Sequence, residues 1–336
     1  MGFVSHSIMP RKQYPMKFLI LVLAALWIVL GLAGKNTFAA DTVKISISNV
    51  EGSFLFGAVA ANKGFFSQEN LNAELIRIAG NVMVPALANG DIDYTLMFGS
   101  VVRATLSNFP FKVVGSFVDS PTGALVGKAA ITAPQSLKGK SIAVSSFGAG
   151  AYVTAVLTVQ HLGMSSNEVK FVASGGDAGR LAALQNGLVD AALLNPAAAA
   201  RAERLGFRVI AKSYELFTFP YAGLGTTNKK LAEKPAEVKR VLRALIKGSR
   251  YMRENRDATI QVLSEWAKID RQSASDYYDA TWKSSSPDGS IPEKGPRLVI
   301  EDAKSALKIN RDVSLSEVAD DSLVKEVQRE MKLEGR

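Results

Sequence analysis

Residues 141–150 read Ser-Ile-Ala-Val-Ser-Ser-Phe-Gly-Ala-Gly and are followed by an apolar run that reaches Leu162. This pattern predicts a short buried β-strand, a turn rich in serine and glycine, and then a helix. The first turn of such a helix presents unpaired backbone N–H groups and the positive end of its dipole above the end of the strand. The turn is therefore a candidate wall of a small-molecule site, and an ordinary turn without a ligand is the alternative. Its candidate site residues are Ser145, Ser146, Phe147 and Gly148.

The chain repeats this unit at a constant offset of 97 residues. Ile-Ser-Ile-Ser at 45–48 corresponds to Ile-Ala-Val-Ser at 142–145, and the pattern A-L-x-N-G-x-[IV]-D occurs at 86–93 and again at 183–190. Two matches in one register indicate an internal duplication. Asp93 and Asp190 end the two patterns and precede strands. Because ligands of open parallel sheets bind beyond the carboxyl ends of strands, we interpret both aspartates as turn formers and not as catalytic carboxylates.

Strands and helices alternate through both halves of the duplication. The first half has predicted strands at 43–48, 73–78, 92–97 and 111–118, and the second at 141–145, 169–172, 191–194 and 208–211. This alternation predicts an α/β fold with two lobes, each a mostly parallel sheet flanked by helices. Residues 217–225 have the aromatic, proline and glycine content of a crossover segment, and helical patterns dominate after Pro235.

Residues 1–39 have the features of a secretory signal peptide. Basic residues precede an uninterrupted apolar run at 18–32, and Thr37 and Ala39 supply the small side chains needed for cleavage after Ala39. Export to the periplasm is the expected result. An uncleaved membrane anchor stays an alternative because the run is at the short end of what spans a bilayer. Translation from Met16 instead of Met1 also stays open.

Composition narrows the possible classes of function. The absence of cysteine excludes a lipid-modified cysteine after the signal, disulfides and thiolate metal sites. Four positive charges lie in the predicted signal peptide, which has no acidic residue, so that +5 of the formal charge of +9 remains. The remaining basic residues are spread over helix faces, which argues against nucleic-acid binding. His161 is the one histidine beyond the signal and has no partner motif, so we expect no metal, no cofactor and no catalytic residue.

The loops that follow the predicted strands are expected to face each other across a cleft between the lobes. They supply hydroxyl groups, amides, helix N-termini and phenyl rings, without a cluster of cations. We therefore expect a solute with a planar or apolar body and at most one anionic group, enclosed by hinge motion of the lobes. The candidate binding residues from these other loops are Asn49, Phe54, Phe98, Gly99, Ser100, Asp177 and Asn195, and the crossover segment adds Tyr221.

Several motifs extend this picture. They are K-I-S-I-S-N at 44–49, A-x-x-K-G-F-F at 60–66, F-G-S at 98–100, S-L-K-G-K-S-I-A-V-S-S at 136–146 and L-Q-N-G-L-V-D-A-A-L at 184–193. Together they resemble periplasmic solute-binding proteins of ABC importers, in the branch for nitrate, sulfonates, taurine and thiamine-pyrimidine precursors. The resemblance spans roughly residues 44–266. It implies a type II periplasmic-binding fold with a Venus-flytrap cleft, and a non-enzymatic monomer that delivers its solute to a permease in the inner membrane.

In such folds the chain crosses to the second lobe and returns. We place these crossings near 125–127 and 219–223, which assigns 40–124 and 222–336 to one lobe and 125–221 to the other. Two alternatives for the function stay open. One is an enzyme of the pyrimidine-synthase type, although that relative carries a cysteine-rich motif and this chain has no cysteine. The other is a sensor subunit that presents its ligand to a membrane receptor.

Overall fold

The computed structural model describes residues 39–145, 147 and 150–333, together with Gly2. Nearly all of the predicted signal peptide, and the candidate site residues Ser146 and Gly148, lie outside the described residues. The chain from Asp41 onward forms one compact unit. Among the described residues, no helix combines the length and the apolar composition that crossing a membrane requires.

The first sheet has five strands in the spatial order β2–β1–β3–β10–β4. They are β1 (Asp41–Ile47), β2 (Leu71–Arg77), β3 (Tyr94–Met97), β4 (Phe111–Val118) and β10 (Ala222–Thr227). β1 pairs in parallel with β2 and β3, whereas β10 lies antiparallel between β3 and β4. We call the body built on this sheet the first lobe.

The second sheet repeats this arrangement in the order β7–β6–β8–β5–β9. Its strands are β5 (Ala124–Gly127), β6 (Ser141–Val144), β7 (Lys170–Ala173), β8 (Ala191–Leu194) and β9 (Arg208–Lys212). β5 is again the antiparallel strand, between β8 and β9. We call this body the second lobe. The two mostly parallel sheets confirm the predicted two-lobe α/β fold.

Helices cover the faces of both sheets. In the first lobe they are α1 (Leu55–Asn62), α2 (Phe65–Gln68), α3 (Gly80–Asn89) and α4 (Phe98–Leu106). In the second lobe they are α5 (Gly150–His161), α6 (Asp177–Gln185), α7 (Pro196–Arg204) and α8 (Ser213–Leu216). The C-terminal part adds α9 (Asn228–Glu233), α10 (Pro235–Glu254), α11 (Arg256–Ala267), α12 (Arg271–Ser284), α13 (Pro296–Leu307), α14 (Leu315–Val318) and α15 (Ser322–Glu330).

Each lobe has a hydrophobic core, and Val153 and Leu157 of α5 also pack against the core of the first lobe. The core of the first lobe places Ile45, Phe117 and Leu245 in one cluster, which joins β1, β4 and α10. In the second lobe, Ile142 and Val159 belong to a cluster on one face of the sheet. Because burial of apolar area is the main favourable contribution to folding, each lobe has its own source of stability.

The crossings lie a few residues from where the sequence places them. Residues 124–127 are not a crossing but the fully buried strand β5, and β10 begins at Ala222. The chain passes between the sheets at 119–123 and returns at 217–221. β5 is short and buried on both faces, so its sequence shows no alternation. β10 contains Gly223 and Gly225. Glycine is generally depleted in strands, but close packing leaves no room for a side chain at these two positions.

The duplicated motif builds the same joint in both lobes. Oδ2 of Asp93 accepts a hydrogen bond from the Lys44 backbone N–H at 2.9 Å, and Oδ2 of Asp190 accepts one from that of Ser141 at 3.0 Å. The partners are 49 residues apart in both cases. Asp93 thus ties the start of β3 to β1, and Asp190 ties the start of β8 to β6. This geometry agrees with a structural role.

Candidate functional site

A large cavity lies between the lobes, at the carboxyl ends of strands from both sheets. Its volume is about 760 Å³, within the range of small-molecule sites. The first lobe contributes α3, α4 and α13, the returning crossing contributes 219–221, and the second lobe contributes Phe147 and the start of α5. We call this cavity the outer chamber. Most of its side chains are apolar, among them Phe54, Val84, Phe109, Phe147, Val153, Phe219 and Val299.

A second, polar cavity of about 60 Å³ adjoins the outer chamber. Tyr221 lines both cavities, so that its ring lies at their junction. We call the smaller cavity the inner pocket. Its polar lining residues are Glu51, Ser53, Thr122, Thr154, Asp177, Arg180, Asn195, Tyr221 and Tyr277.

The glycine that begins α5 sets the distance between this helix and the returning crossing. A Cβ atom on Gly150 would lie 3.0 Å from the phenol oxygen of Tyr221, which is tighter than ordinary side-chain contacts. The missing side chain therefore lets the second lobe approach the junction of the two cavities.

Two helix starts build the polar wall of the inner pocket. Asp177 is the first residue of α6, and its Oδ1 accepts a hydrogen bond from the Asn195 backbone N–H at 2.7 Å. Asn195 caps α7, because its Oδ1 accepts from the Ala198 backbone N–H at 2.8 Å. The loops after β7 and β8 are thereby tied together, and a carboxylate is held where the α6 dipole stabilises it.

Arg180 is buried behind this wall, with 5% of its surface exposed. Its Nη2 donates to Oδ1 of Asp177 at 2.6 Å and its Nη1 donates to the Gly175 carbonyl at 2.7 Å. Nε of Arg180 is buried and has no hydrogen-bond partner within the part of the chain that the structure describes. The guanidinium therefore neutralises Asp177 and uses two of its five N–H donors in these bonds.

Glu51 faces this pair from the loop after β1. Burial raises the pKa of its carboxyl group to about 7, and the negative charge of Asp177 raises it further than Arg180 lowers it. The charge of Glu51 is also the main reason why the pKa of Tyr221 is raised, whereas burial raises the pKa of Tyr277. Both phenols stay protonated at neutral pH, so the pocket holds two carboxyl groups and one engaged arginine.

The structure brings most of the sequence-predicted site residues to the two cavities. Phe54, Gly99, Ser100, Phe147 and Tyr221 line the outer chamber, and Asp177, Asn195 and Tyr221 line the inner pocket.

Other predicted residues lie elsewhere. Phe98 is only 1% exposed and belongs to the core of the first lobe, because the apolar run of β3 continues into it. Asn49 is exposed and lines neither cavity, although its side chain hydrogen-bonds the Glu51 carboxyl group and lowers the pKa of that group; it also accepts a hydrogen bond from Oγ of Ser48 at 3.0 Å. Ser145 also lies outside both linings, and its Oγ is buried without a partner among the described residues.

Sequence reasoning missed Glu51, Arg180 and Tyr277. Glu51 lies in a loop that the sequence places at the cleft, and Arg180 stands three residues after Asp177 on the same helix, a spacing that favours an ion pair. Local signals could therefore have found both. Tyr277 comes from α12, whose aromatic residues are typical of helix packing, and no local pattern marks it.

An ion pair in the wall of the outer chamber was also missed. Arg103 on α4 and Asp302 on α13 are 3.0 Å apart and both line the chamber. The two residues are distant in sequence, so only the packing of α13 against α4 reveals the contact.

Comparison with solved structures shows the same fold in transport proteins. The putative sulfonate ABC transporter periplasmic sulfonate-binding protein SsuA from Methylobacillus flagellatus KT aligns with a TM-score of 0.72 at 19% identity, covering 88% of this chain and 96% of that one. The periplasmic nitrate-binding protein NrtA from Synechocystis PCC 6803 aligns with a TM-score of 0.66 at 13% identity, covering 87% and 89%.

The fold also occurs in an enzyme. The desulfurization enzyme DszB aligns with a TM-score of 0.61 at 13% identity, covering 87% of this chain and 99% of that one. At such identities the similarities show the fold and not the activity.

Sequence comparison gives the family. No curated protein matches the chain. The family described as NMT1/THI5 like matches residues 53–259, which is more than half of the chain and includes every strand of the two sheets except β1. The chain therefore belongs to the NMT1/THI5-like family and has the two-lobe fold of periplasmic solute-binding proteins.

Proposed function

We propose that the protein is the solute-binding component of an ABC-type importer and captures a small organic solute between its lobes without transforming it. The observation that carries this proposal is the outer chamber of about 760 Å³ with aromatic walls, which shares Tyr221 with a smaller polar inner pocket. Such a combination of an apolar body and a few polar groups is typical of small-molecule sites. Closure of the lobes about the crossings at 119–123 and 217–221 would enclose the solute.

The periplasm as the location and a permease of the inner membrane as the partner belong to the same proposal. They are supported by the predicted signal peptide and by structural neighbours that are named as periplasmic binding proteins. We also propose that the protein acts as a monomer, and that the lobe boundaries follow the membership of the two sheets, with 124–216 as the second lobe in place of the expected 125–221.

An enzyme on the same fold is the second candidate, because DszB shares the architecture. Two observations favour binding over catalysis. The sequence contains no cysteine, and the described residues that line the two cavities include no histidine or lysine. Covalent catalysis by a thiolate or an amine, and proton transfer by an imidazole, therefore have no side chain in the described cleft.

A thermal-shift screen tests the proposed function. A solute that binds the folded state raises the free energy of unfolding by about 2.7 kcal/mol at a hundred times its Kd, and the melting temperature rises accordingly with solute concentration. The panel contains organic anions, aromatic acids, pyrimidines and aromatic amines or amidines. Recovery of the unchanged solute after incubation separates binding from turnover. A panel without any shift contradicts the proposal, and conversion of the solute favours the enzyme.

A further inference from the structure

One ion pair provides all the charge in the wall of the outer chamber. Among the described residues that line this cavity, Arg103 of α4 and Asp302 of α13 are the only charged ones. Nη2 of Arg103 donates a hydrogen bond to Oδ2 of Asp302 at 3.0 Å. The two side chains are 39% and 27% exposed, so a solute in the chamber can reach them. The chamber therefore presents a positive and a negative group side by side, without a net charge.

The pair has hydrogen-bonding capacity to spare. A guanidinium has five N–H donors and a carboxylate about four acceptor positions. Within the described part of the chain, a single hydrogen bond joins Arg103 to Asp302, and the side chains of both residues have no other hydrogen-bond partner. Nε of Arg103 is even buried without a partner among the described residues. Donors and acceptors of the pair are thus left for a bound group that offers both.

The pair lies along one face of α4, about one helical turn after the start of the helix. Gly99, Ser100, Arg103, Ala104 and Ser107 all line the chamber, so that this face extends about 12 Å at 1.5 Å per residue. The chamber volume of about 760 Å³ is in the range of sites for drug-sized molecules. A body of two or more rings therefore fits in the chamber together with a head group at the pair.

The remaining walls are suited to an uncharged aromatic body. Phe54 and Phe219 of the described residues line the chamber, and Phe147 of the second lobe lines it as well. Their rings offer flat apolar surfaces on which another ring can pack. No charged side chain other than the pair stands among these described lining residues to compensate an ionised solute.

A neutral group with an acceptor and an N–H donor next to each other complements the pair. The oxygen of a carboxamide can accept a hydrogen bond from Arg103 while its N–H group donates one to Asp302, and both bonds involve a charged partner. A carboxylate or sulfonate gains only the bond from Arg103 and is placed beside the like charge of Asp302. A cationic head group meets the like charge of Arg103 in the same way, and such contacts are unfavourable when they are desolvated.

We propose that the outer chamber takes a neutral solute with a ring-containing body and a carboxamide-type head group, open or cyclic, whose oxygen binds Arg103 and whose N–H group binds Asp302. This inference rests on the proposed binding function and names the solute class of the same site. It distinguishes the chain from the sulfonate- and nitrate-binding proteins whose fold it shares.

Three compounds with one ring system test the head group: naphthalene-2-carboxamide, naphthalene-2-carboxylate and naphthalene-2-carboxamidine. Each head group consists of one carbon and two heteroatoms, so the compounds have nearly the same shape and differ in charge and in donors. We expect calorimetry at neutral pH to show the carboxamide binding at least about tenfold more tightly than either charged compound.

Two variants should move this preference in opposite directions. Asp302→Asn keeps the size of the side chain and leaves Arg103 without a counter-charge, so the affinity for the carboxylate should rise at least about tenfold relative to the carboxamide. Arg103→Gln leaves Asp302 unmatched and should favour the carboxamidine to the same extent. Both should fold, because a partly exposed ion pair contributes little to stability, and each decides by itself.

Glu301→Gln is the matched control on the same helix. The Glu301 side chain is 54% exposed, forms an ion pair with Lys304 at 2.9 Å and lines neither cavity. This variant should bind the three compounds with the affinities of the unaltered protein.

Tighter binding of the carboxylate or the carboxamidine than of the carboxamide by the unaltered protein overturns the assignment. Folded Asp302→Asn and Arg103→Gln variants that leave the ratios of the three affinities unchanged also overturn it. Failure of all three compounds to bind at sub-millimolar concentration, with a thermal shift from another solute of the panel, rejects the head group and leaves the binding function standing. Only the absence of any shift across the whole panel, these compounds included, removes both.

Discussion

Single residues act in two distinct ways in this protein. Some carboxylates form hydrogen bonds that hold neighbouring strands in position, and some aromatic side chains line the cleft with their rings exposed. Asp190 belongs to the first kind. It accepts hydrogen bonds from the backbone N–H and from Oγ of Ser141, and it forms an ion pair with Lys128 at 2.9 Å. Phe147 belongs to the second kind, because 65% of its side chain is exposed although it lines the outer chamber.

Asp190 makes stability depend on pH in the acid range. The Ser141 backbone hydrogen bond, followed by the Lys128 contact, lowers its pKa from 3.8 to about 2. A lowered carboxyl pKa contributes stability that is complete above the unfolded value and is lost as the pH falls through the folded one. We expect Asp190→Asn to lower the free energy of unfolding at neutral pH by about 2 kcal/mol, and to flatten its decline between about pH 4 and pH 2.

Denaturant unfolding across that pH range measures both effects. Asp91→Asn is the matched control, because Asp91 occupies an exposed turn position in the corresponding joint of the first lobe. An unaltered acid profile for Asp190→Asn would contradict the structural role of the aspartate.

Phe147 is expected to contribute to binding and not to stability. Its ring packs edge-on against Tyr152 at 5.4 Å and otherwise faces the chamber. We expect Phe147→Ala to weaken solute binding at least about tenfold and to change the free energy of unfolding by less than about 0.5 kcal/mol. Leu188→Ala is the comparison, because Leu188 is 75% exposed and lines neither cavity. Equal affinities for the two variants, measured by calorimetry with a screened solute, would exclude Phe147 from the site.

At the scale of elements, the antiparallel strands β5 and β10 complete the sheets and connect the lobes. β10 lies in the middle of the first sheet although its sequence, Ala-Gly-Leu-Gly-Thr-Thr, has low strand propensity. Its glycines allow neighbouring elements to approach closely. A Cβ atom on Gly223 would lie 2.3 Å from the Gly115 carbonyl oxygen, and one on Gly225 would lie 2.4 Å from Cγ2 of Val101.

Gly223→Ala therefore tests the position of β10. The nearest atom is backbone in the adjacent strand and cannot rotate away, so we expect a loss of about 3 kcal/mol in the free energy of unfolding. Gly99→Ala is the control, since a Cβ atom there meets Cγ1 of Val299 at an ordinary 3.8 Å. Gly99 lies in α4, where alanine also favours the helix. Chemical denaturation measures the free energy of unfolding of both variants. A Gly223→Ala variant as stable as the unaltered protein would contradict the close contact between β10 and Gly115.

The whole molecule consists of two lobes with separate cores and a cleft between them. The chain passes between the sheets at 119–123 and 217–221, and the C-terminal helix α12 also contacts the second lobe, where Asp276 lies 3.2 Å from Arg204 of α7. Arg204 is half-exposed, so this ion pair is worth less than about 1 kcal/mol and does not lock the lobes together.

Solute binding is expected to make the molecule more compact. A solute that contacts both lobes binds more tightly to the closed arrangement, in which both sets of contacts form, than to the open one. It shifts the equilibrium towards the closed arrangement by the difference between its two binding free energies. We expect small-angle X-ray scattering to show a smaller radius of gyration at saturating solute, with a forward scattering that corresponds to a monomer. Scattering at the same concentration of a panel compound that gives no thermal shift is the reference that should not change. An identical radius with and without a solute of proven affinity would contradict hinge closure.

Local patterns in the sequence determined the two-lobe architecture. The informative patterns are apolar runs, glycines at helix ends and the repeated A-L-x-N-G-x-[IV]-D motif. Each reflects backbone geometry and burial within about ten residues of chain, so it can be recognised without coordinates. The loops that carry Phe54, Phe147 and Asp177 followed from the rule for ligands at parallel strands.

Only the tertiary structure decided the chemistry of the cleft. Glu51, Asp177 and Tyr277 come from three separate parts of the chain, and the pKa of Glu51 depends on their separation in space, because Coulomb interactions and desolvation act through distance and burial. The sequence indicated a site without a cationic cluster. The packing of the lobes turned that site into one with two carboxyl groups and an arginine that is already engaged.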